Sequence, residues 1–140
     1  LRPYDCQNSL CMQFKSPIEL VKQFNKSFDI ITNKNPEVLQ EEDWTLKVNL
    51  MKEELSEYIE ACENQDIVAI TDAIIDMQYI LSGIVIAHGI HNKFDKLFQE
   101  VHDSNMSKLE NGKALRRNDG KVLKGKNYFK PELQKILENG

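Results

Sequence analysis

Residues 66–88 read Asp-Ile-Val-Ala-Ile-Thr-Asp-Ala-Ile-Ile-Asp-Met-Gln-Tyr-Ile-Leu-Ser-Gly-Ile-Val-Ile-Ala-His, a helix-length run that is apolar on nearly all sides. Such a helix is buried in a core or crosses a membrane. This one carries Asp72 and Asp76, four residues apart and so on one face, about 40° apart on the helical wheel. Each aspartate at the centre of a membrane helix costs about 2.5–3.5 kcal/mol. Two of them argue against insertion, so the run is expected to be the buried central helix of a bundle. A buried carboxylate is costly unless it is paired or holds a cation. A second helical pattern upstream carries Glu53, Glu54 and Glu57. The expectation is that the two helices face each other and hold a divalent metal through Glu53, Glu54, Glu57, Asp72 and Asp76.

The rest of the chain supports a single all-α domain over residues 1–140, a bundle of four main helices. With 41% hydrophobic and 29% charged residues, the composition is that of a soluble globular protein. No secretory signal is read at the start. Cys6, Cys11 and Cys62 form an odd set without metal spacing. They point to a reducing, cytoplasmic setting and no disulfide framework. Residues 1–14 show no periodicity and are expected to be a poorly ordered appendage.

Ser16-Pro17-Ile18-Glu19 is a helix start, with a serine cap, proline at the first helical position and a capping-box glutamate. It places a first helix at 16–28, with Val21, Phe24 and Phe28 on its apolar face. Residues 29–40 read as a loop. The second helix runs to 63 from about 38 or 42, with Trp44, Val48, Met51, Leu55, Tyr58 and Cys62 as its apolar stripe. Glu53, Glu54 and Glu57 fall in one arc at the edge of that stripe, where a site between packed helices would lie. Asn64 or Asp66 caps the central helix and Gly89 ends it. A fourth helix is expected at 92–104. Asn118-Asp119-Gly120 marks a hairpin or extended loop, and Pro131 opens a short last helix to 138.

Clustered carboxylates without His or Cys are hard oxygen ligands, which suit Mg²⁺ or Mn²⁺. A di-iron bundle would show Glu-x-x-His on two helices, yet none of His88, His91 and His102 has a glutamate three residues before it. No phosphate-binding glycine loop, zinc spacing or nucleophile elbow is present. Tyr79 shares the Asp72/Asp76 face and can bond a carboxylate or a sugar. Trp44 can stack a base, though such a residue is more often core; Cys62 is read as core. His102 beside Glu100 suggests acid–base chemistry only weakly.

Glu53-Glu54-Leu55-Ser56-Glu57 followed by Asp72-Ala73-Ile74-Ile75-Asp76 resembles the all-α nucleoside triphosphate pyrophosphohydrolase superfamily. That superfamily includes MazG, dimeric dUTPases and phosphoribosyl-ATP pyrophosphohydrolase. The resemblance extends to Glu100–Lys108 and Asp119–Gly125, which look like the phosphoribosyl-ATP pyrophosphohydrolase branch, and covers residues 16–138. One departure is Ala73, where the second motif usually has its first acid; Asp72 stands one place earlier, so Asp76 carries over more securely. The resemblance implies a MazG-like fold and hydrolysis of a nucleoside triphosphate at the α-phosphate to a monophosphate and pyrophosphate. Phosphoribosyl-ATP hydrolysis in histidine biosynthesis, or a non-catalytic nucleotide- or metal-binding helical dimer, are the alternatives. Glu53 or Glu54 would orient or deprotonate the water, Asn105 and Lys108 would meet phosphate or base, and Lys121 and Lys124 would neutralise the triphosphate.

Net charge is −4 overall, but residues 112–130 carry +6, which leaves −10 for the rest. A net-acidic domain is not a nucleic-acid footprint, and on charge alone the basic segment is a solvated loop. In an extended segment Lys121 and Lys124 point to opposite sides, so both reach one triphosphate only if the segment twists or two subunits share the site. The three other helices can hardly cover every apolar face of the central one. A two-fold dimer, or a tetramer of such dimers, is therefore expected.

Overall fold

A computed structural model of the chain describes residues 13–139. The expected appendage at 1–14 lies outside the described residues except for Gln13 and Phe14, which precede the first helix. The chain is all-α: α1 (Pro17–Ser27), α2 (Glu41–Glu63), α3 (Ile67–Ala87), α4 (Phe94–Met106) and a short α5 (Leu133–Glu138). A 3-10 turn, His91–Lys93, leads into α4, where the periodicity suggested α4 itself would begin. The described residues contain isolated β-bridges but no strand.

α1 and α3 start where their capping chemistry dictates. The Ser16 hydroxyl accepts from Glu19 N at 3.2 Å, and Pro17 takes the first helical position. Glu41, Glu42 and Asp43 put negative charge at the start of α2, where the helix dipole favours it. α3 is capped by Asp66, which accepts from Val68 N and Ala69 N at 3.0 and 3.1 Å. Asn64 instead closes α2. Between them Gln65 adopts a left-handed conformation at φ 54°. This tight link folds α2 and α3 into an antiparallel hairpin.

α3 packs most extensively against α2 and next against α1. The core lies mainly along its C-terminal half, where Ser82, Val85, Ile86 and Ala87 are buried, with Val21 of α1, Ala61 of α2 and Leu97 of α4 also buried. α3 is long and apolar enough to cross a membrane by length and composition. The expectation that it is buried on all sides fails within one chain. Ile67, Val68, Ile74, Ile75 and Leu81 remain exposed, because the single chain brings its main helix neighbours to only two sides. The same shortage of neighbours corrects four expected stripe residues of α2, Val48 and Leu55 being exposed along with Trp44 and Cys62. Trp44 is 42% exposed and Cys62 is exposed. Phe28 of α1 is exposed too, stacked on Phe24 at 4.3 Å between ring centroids.

The loop at 29–40 fastens the end of α3. Asn33 Nδ2 donates to Ala87 O at 2.7 Å, and Glu37 N donates to His88 O at 3.0 Å. A His88 ring nitrogen lies 2.8 Å from Glu37 O. Gly89 ends the helix at φ 70°, so close to the loop that a Cβ there would stand 2.1 Å from Asn35 O.

Past α4 the chain makes two small turns. Glu110 and Lys113 exchange backbone hydrogen bonds of 2.9 Å around Asn111-Gly112, both at positive φ. This is a two-residue hairpin turn of the kind that Asn-Gly favours. The expected Asp-Gly hairpin follows, with Arg117 N to Lys121 O and Gly120 N to Arg117 O both at 2.8 Å. α5 begins at Leu133 rather than Pro131, and Glu132 N is held by Glu100 Oε1 at 3.0 Å.

Candidate active site

The α2–α3 hairpin places the acids. Glu54 and Asp76 stand equally far along the chain from Gln65, and Glu57 and Asp72 nearly so. In an antiparallel helical hairpin, positions equidistant from the turn lie at one level, so the two pairs occupy neighbouring levels of one seam. Glu54 is at the centre of it. Its side chain is half-buried, and its Oε2 is closed off from solvent with no hydrogen-bond partner. Its carboxyl is held above the ordinary glutamate range, first by desolvation and then by the negative charges of Glu57, Asp76, Asp72 and Glu53. All five expected ligands therefore share one electrostatic neighbourhood.

They do not converge on one point. Among the described residues, no three Asp, Glu, His or Cys side chains stand together closely enough to hold a metal ion. Glu53 and Glu57 extend into solvent, whereas Glu54 turns inward. Adjacent helix positions such as 53 and 54 diverge by about 100°, and like charges favour the separation. The donor chemistry nonetheless fits a hard divalent cation: an unpartnered, enclosed carboxylate oxygen under the negative charge of four further carboxylates is the arrangement such an ion relieves.

The expected substrate residues form a second group. Asn105 and Lys108 do meet, Lys108 Nζ donating to Asn105 Oδ1 at 2.8 Å. Lys124 lies over the Tyr128 ring. Lys121 is exposed beyond the turn, its backbone N–H donating to Asp119 Oδ1 at 3.2 Å. Asp119 is held below the usual carboxylate range, first by its hydrogen bonds from Arg117 and then by that from Lys121. It serves the turn. No side-chain hydrogen bond or ion pair among the described residues joins these lysines to the carboxylates of α2 and α3. Tyr79 lies against α1, its ring edge-on to Phe24 at 5.6 Å. His102 gains no partner from Glu100, whose carboxylate holds Glu132 N. Sequence reasoning missed Tyr128 altogether; its only signal was an aromatic residue four places beyond a lysine.

The sequence pattern of phosphoribosyl-ATP pyrophosphohydrolase matches residues 21–105, from α1 to the end of α4 and including every acid of the seam. The chain belongs to the phosphoribosyl-ATP pyrophosphohydrolase family. It is thus a nucleotide pyrophosphohydrolase, a hydrolase acting on phosphoric anhydride bonds, and a purely non-catalytic binding role is set aside. No curated protein matches the sequence. The family match stops at Asn105, so the basic tail with Lys108, Lys121 and Lys124 lies beyond it.

Proposed function

We propose that this pyrophosphohydrolase cleaves a nucleoside triphosphate at the α-phosphorus, releasing a nucleoside monophosphate and pyrophosphate, and depends on Mg²⁺ or Mn²⁺. The observation that supports this is Glu54, enclosed at Oε2 without a partner and under the negative charge of four further carboxylates. Glu54 and Asp76 on facing helices, with Glu53, Glu57 and Asp72 around them, would hold the cation. When bound, the cation supplies charge neutralisation at the phosphates and a more acidic water. Glu53, exposed beside Glu54, orients or deprotonates that water. Tyr79 and Asp72 offer polar atoms to the sugar end, and Asn105, Lys108, Lys121 and Lys124 meet phosphate or base.

No side-chain hydrogen bond or ion pair among the described residues joins the basic tail to the carboxylate seam. We propose that two copies associate and complete the site between them. The exposed Ile67, Val68, Ile74, Ile75 and Leu81 of α3, with Trp44, Leu46, Leu50 and Ile59 of α2, support this. So many uncovered apolar side chains on two neighbouring helices are typical of an interface.

The family's name favours phosphoribosyl-ATP as a second substrate reading. A panel of ribo- and deoxyribonucleoside triphosphates plus phosphoribosyl-ATP, scored by pyrophosphate release with Mg²⁺ or Mn²⁺, tests both. Release from a simple triphosphate is the expected result. Release from phosphoribosyl-ATP alone would replace the proposal with the second reading, and no release from any triphosphate would overturn it.

A further inference from the structure

Several cations near the end of the chain have carboxylate partners within it. Arg117 forks onto Asp119, Lys126 Nζ lies 3.9 Å from Glu110, and Lys135 Nζ lies 3.1 Å from Glu132. Lys108 and Lys124 are held differently. Lys108 Nζ donates to the amide oxygen of Asn105 at 2.8 Å, and Lys124 Nζ stands 4.6 Å from the centre of the Tyr128 ring. Both partners are neutral. A carboxylate would cancel the charge it fixes; an amide oxygen and a ring face restrain the ammonium and leave its charge in place.

The two lysines also come from backbone segments in contact. Gly125 N, next to Lys124, donates to Lys108 O at 3.1 Å. A Cβ at Gly125 would stand 2.7 Å from that same oxygen. Tyr128 is fixed in turn by the segment around it. Its own N–H donates to Gly125 O at 3.3 Å. Its neighbour Phe129 is tied at both ends to α4, Ser104 Oγ donating to Phe129 O at 2.8 Å and Phe129 N donating to Ser107 Oγ at 3.1 Å. Ser104 is buried, which anchors the clasp in the core.

We infer that Tyr128 is a positioning residue: it holds Lys124, whose backbone segment meets that of Lys108, and the two lysines receive the pyrophosphoryl end of the substrate. The inference rests on the triphosphate reading above and adds to it a preformed cationic clamp and the aromatic face that sets it.

The test needs no turnover. Titration of the full chain with Mg²⁺–pyrophosphate by calorimetry at fixed ionic strength reads the clamp directly. Tyr128→Leu should weaken binding about two- to five-fold, the range of an exposed cation–π contact, and Tyr128→Phe, which restores a ring face, should recover most of the loss. In a Lys124→Gln background Tyr128→Leu should add nothing, because its effect runs through that lysine. Should the leucine variant fail to fold, Tyr128→Met is read the same way. Equal binding by the leucine and phenylalanine variants would overturn the inference, as would an equal loss in the Lys124→Gln background or no pyrophosphate binding by the wild type. The two readings fail separately. Pyrophosphate binding that obeys the cycle without triphosphate turnover removes the substrate reading alone. Turnover with pyrophosphate binding untouched by Lys124→Gln and Tyr128→Leu removes the clamp alone.

Discussion

Gly89→Ala and Gly112→Ala place the same methyl group on nearly the same backbone, φ 70° and 73°, in two different surroundings. At Gly112 nothing lies within 4 Å of the added Cβ. Only the left-handed conformation is penalised there, by about 1–2 kcal/mol. At Gly89 the Cβ would stand 2.1 Å from Asn35 O and 3.1 Å from Asn33 O. Both are backbone atoms of the loop that fastens α3, so the loop must move. The hydrogen bonds from Asn33 to Ala87, from Glu37 to His88 and between the His88 ring and Glu37 then weaken together. At about 0.5–1.5 kcal/mol each, plus the backbone term, the loss is roughly 3–6 kcal/mol. Against a total stability of about 5–15 kcal/mol this is large. For a chain of this length it corresponds to a Tm roughly 10–20 °C lower. Thermal melts of both variants by circular dichroism, without metal, check it. Gly112→Ala should melt roughly 3–7 °C below the wild type. Equal drops for the two variants, or a Gly89→Ala melt close to wild type, would show that the loop yields freely and that the clasp contributes little.

Millimolar Mg²⁺ should raise the Tm of the wild type by mass action; Glu54→Gln should abolish that rise and turnover, while raising the Tm of the metal-free protein at neutral pH. Because the folded state raises the Glu54 pKa, its stabilising contribution is present below the ordinary glutamate value and lost as pH rises through the raised one. Metal-free wild type should therefore gain stability as pH falls from neutral into that window, and melts of Glu54→Gln in a chelating buffer should lack that component. Lys124→Ala should lower kcat together with kcat/KM if charge develops there in the transition state; Lys121→Ala should do so only if the turn carries it to the same phosphates, and unchanged constants in both would take the tail out of the active site. Light scattering at micromolar concentration should give a dimer or tetramer, and a clean monomer would contradict the shared-site reading.

The elements that local chemistry specifies were legible in the sequence. Ser16, Pro17 and Asp66 announce helix starts because capping is a contact of a few residues, and the described caps fall on them. Gly89 was legible as a helix end for the same reason. The burial of α3 was not. Periodicity reports that Ile74, Ile75 and Leu81 prefer to leave water, but not whether the covering surface belongs to the same chain. The same limit applies to Trp44 and Cys62, whose stripe is apolar in sequence and open in the single chain.

In the site, spacing was enough to set Glu54 level with Asp76 and Glu57 close to the level of Asp72, because a short helical hairpin converts equal sequence distance into equal height. It could not say which acid turns inward. Glu54 does, and the enclosure of one oxygen beside four negative charges is a property of the seam rather than of the motif. The basic tail exposes the opposite gap. Seven cations in nineteen residues look interchangeable in the sequence; folding sorts them by their partners. Arg117 is matched to Asp119, whereas Lys124 is restrained by an aromatic ring that leaves its charge uncancelled, as the amide of Asn105 does for Lys108 just before the segment. For a polyanionic substrate the useful cations are those held in place without being neutralised. For Lys124 that distinction depends on a contact four residues away in irregular backbone, where neither helical nor strand periodicity says which side chains meet.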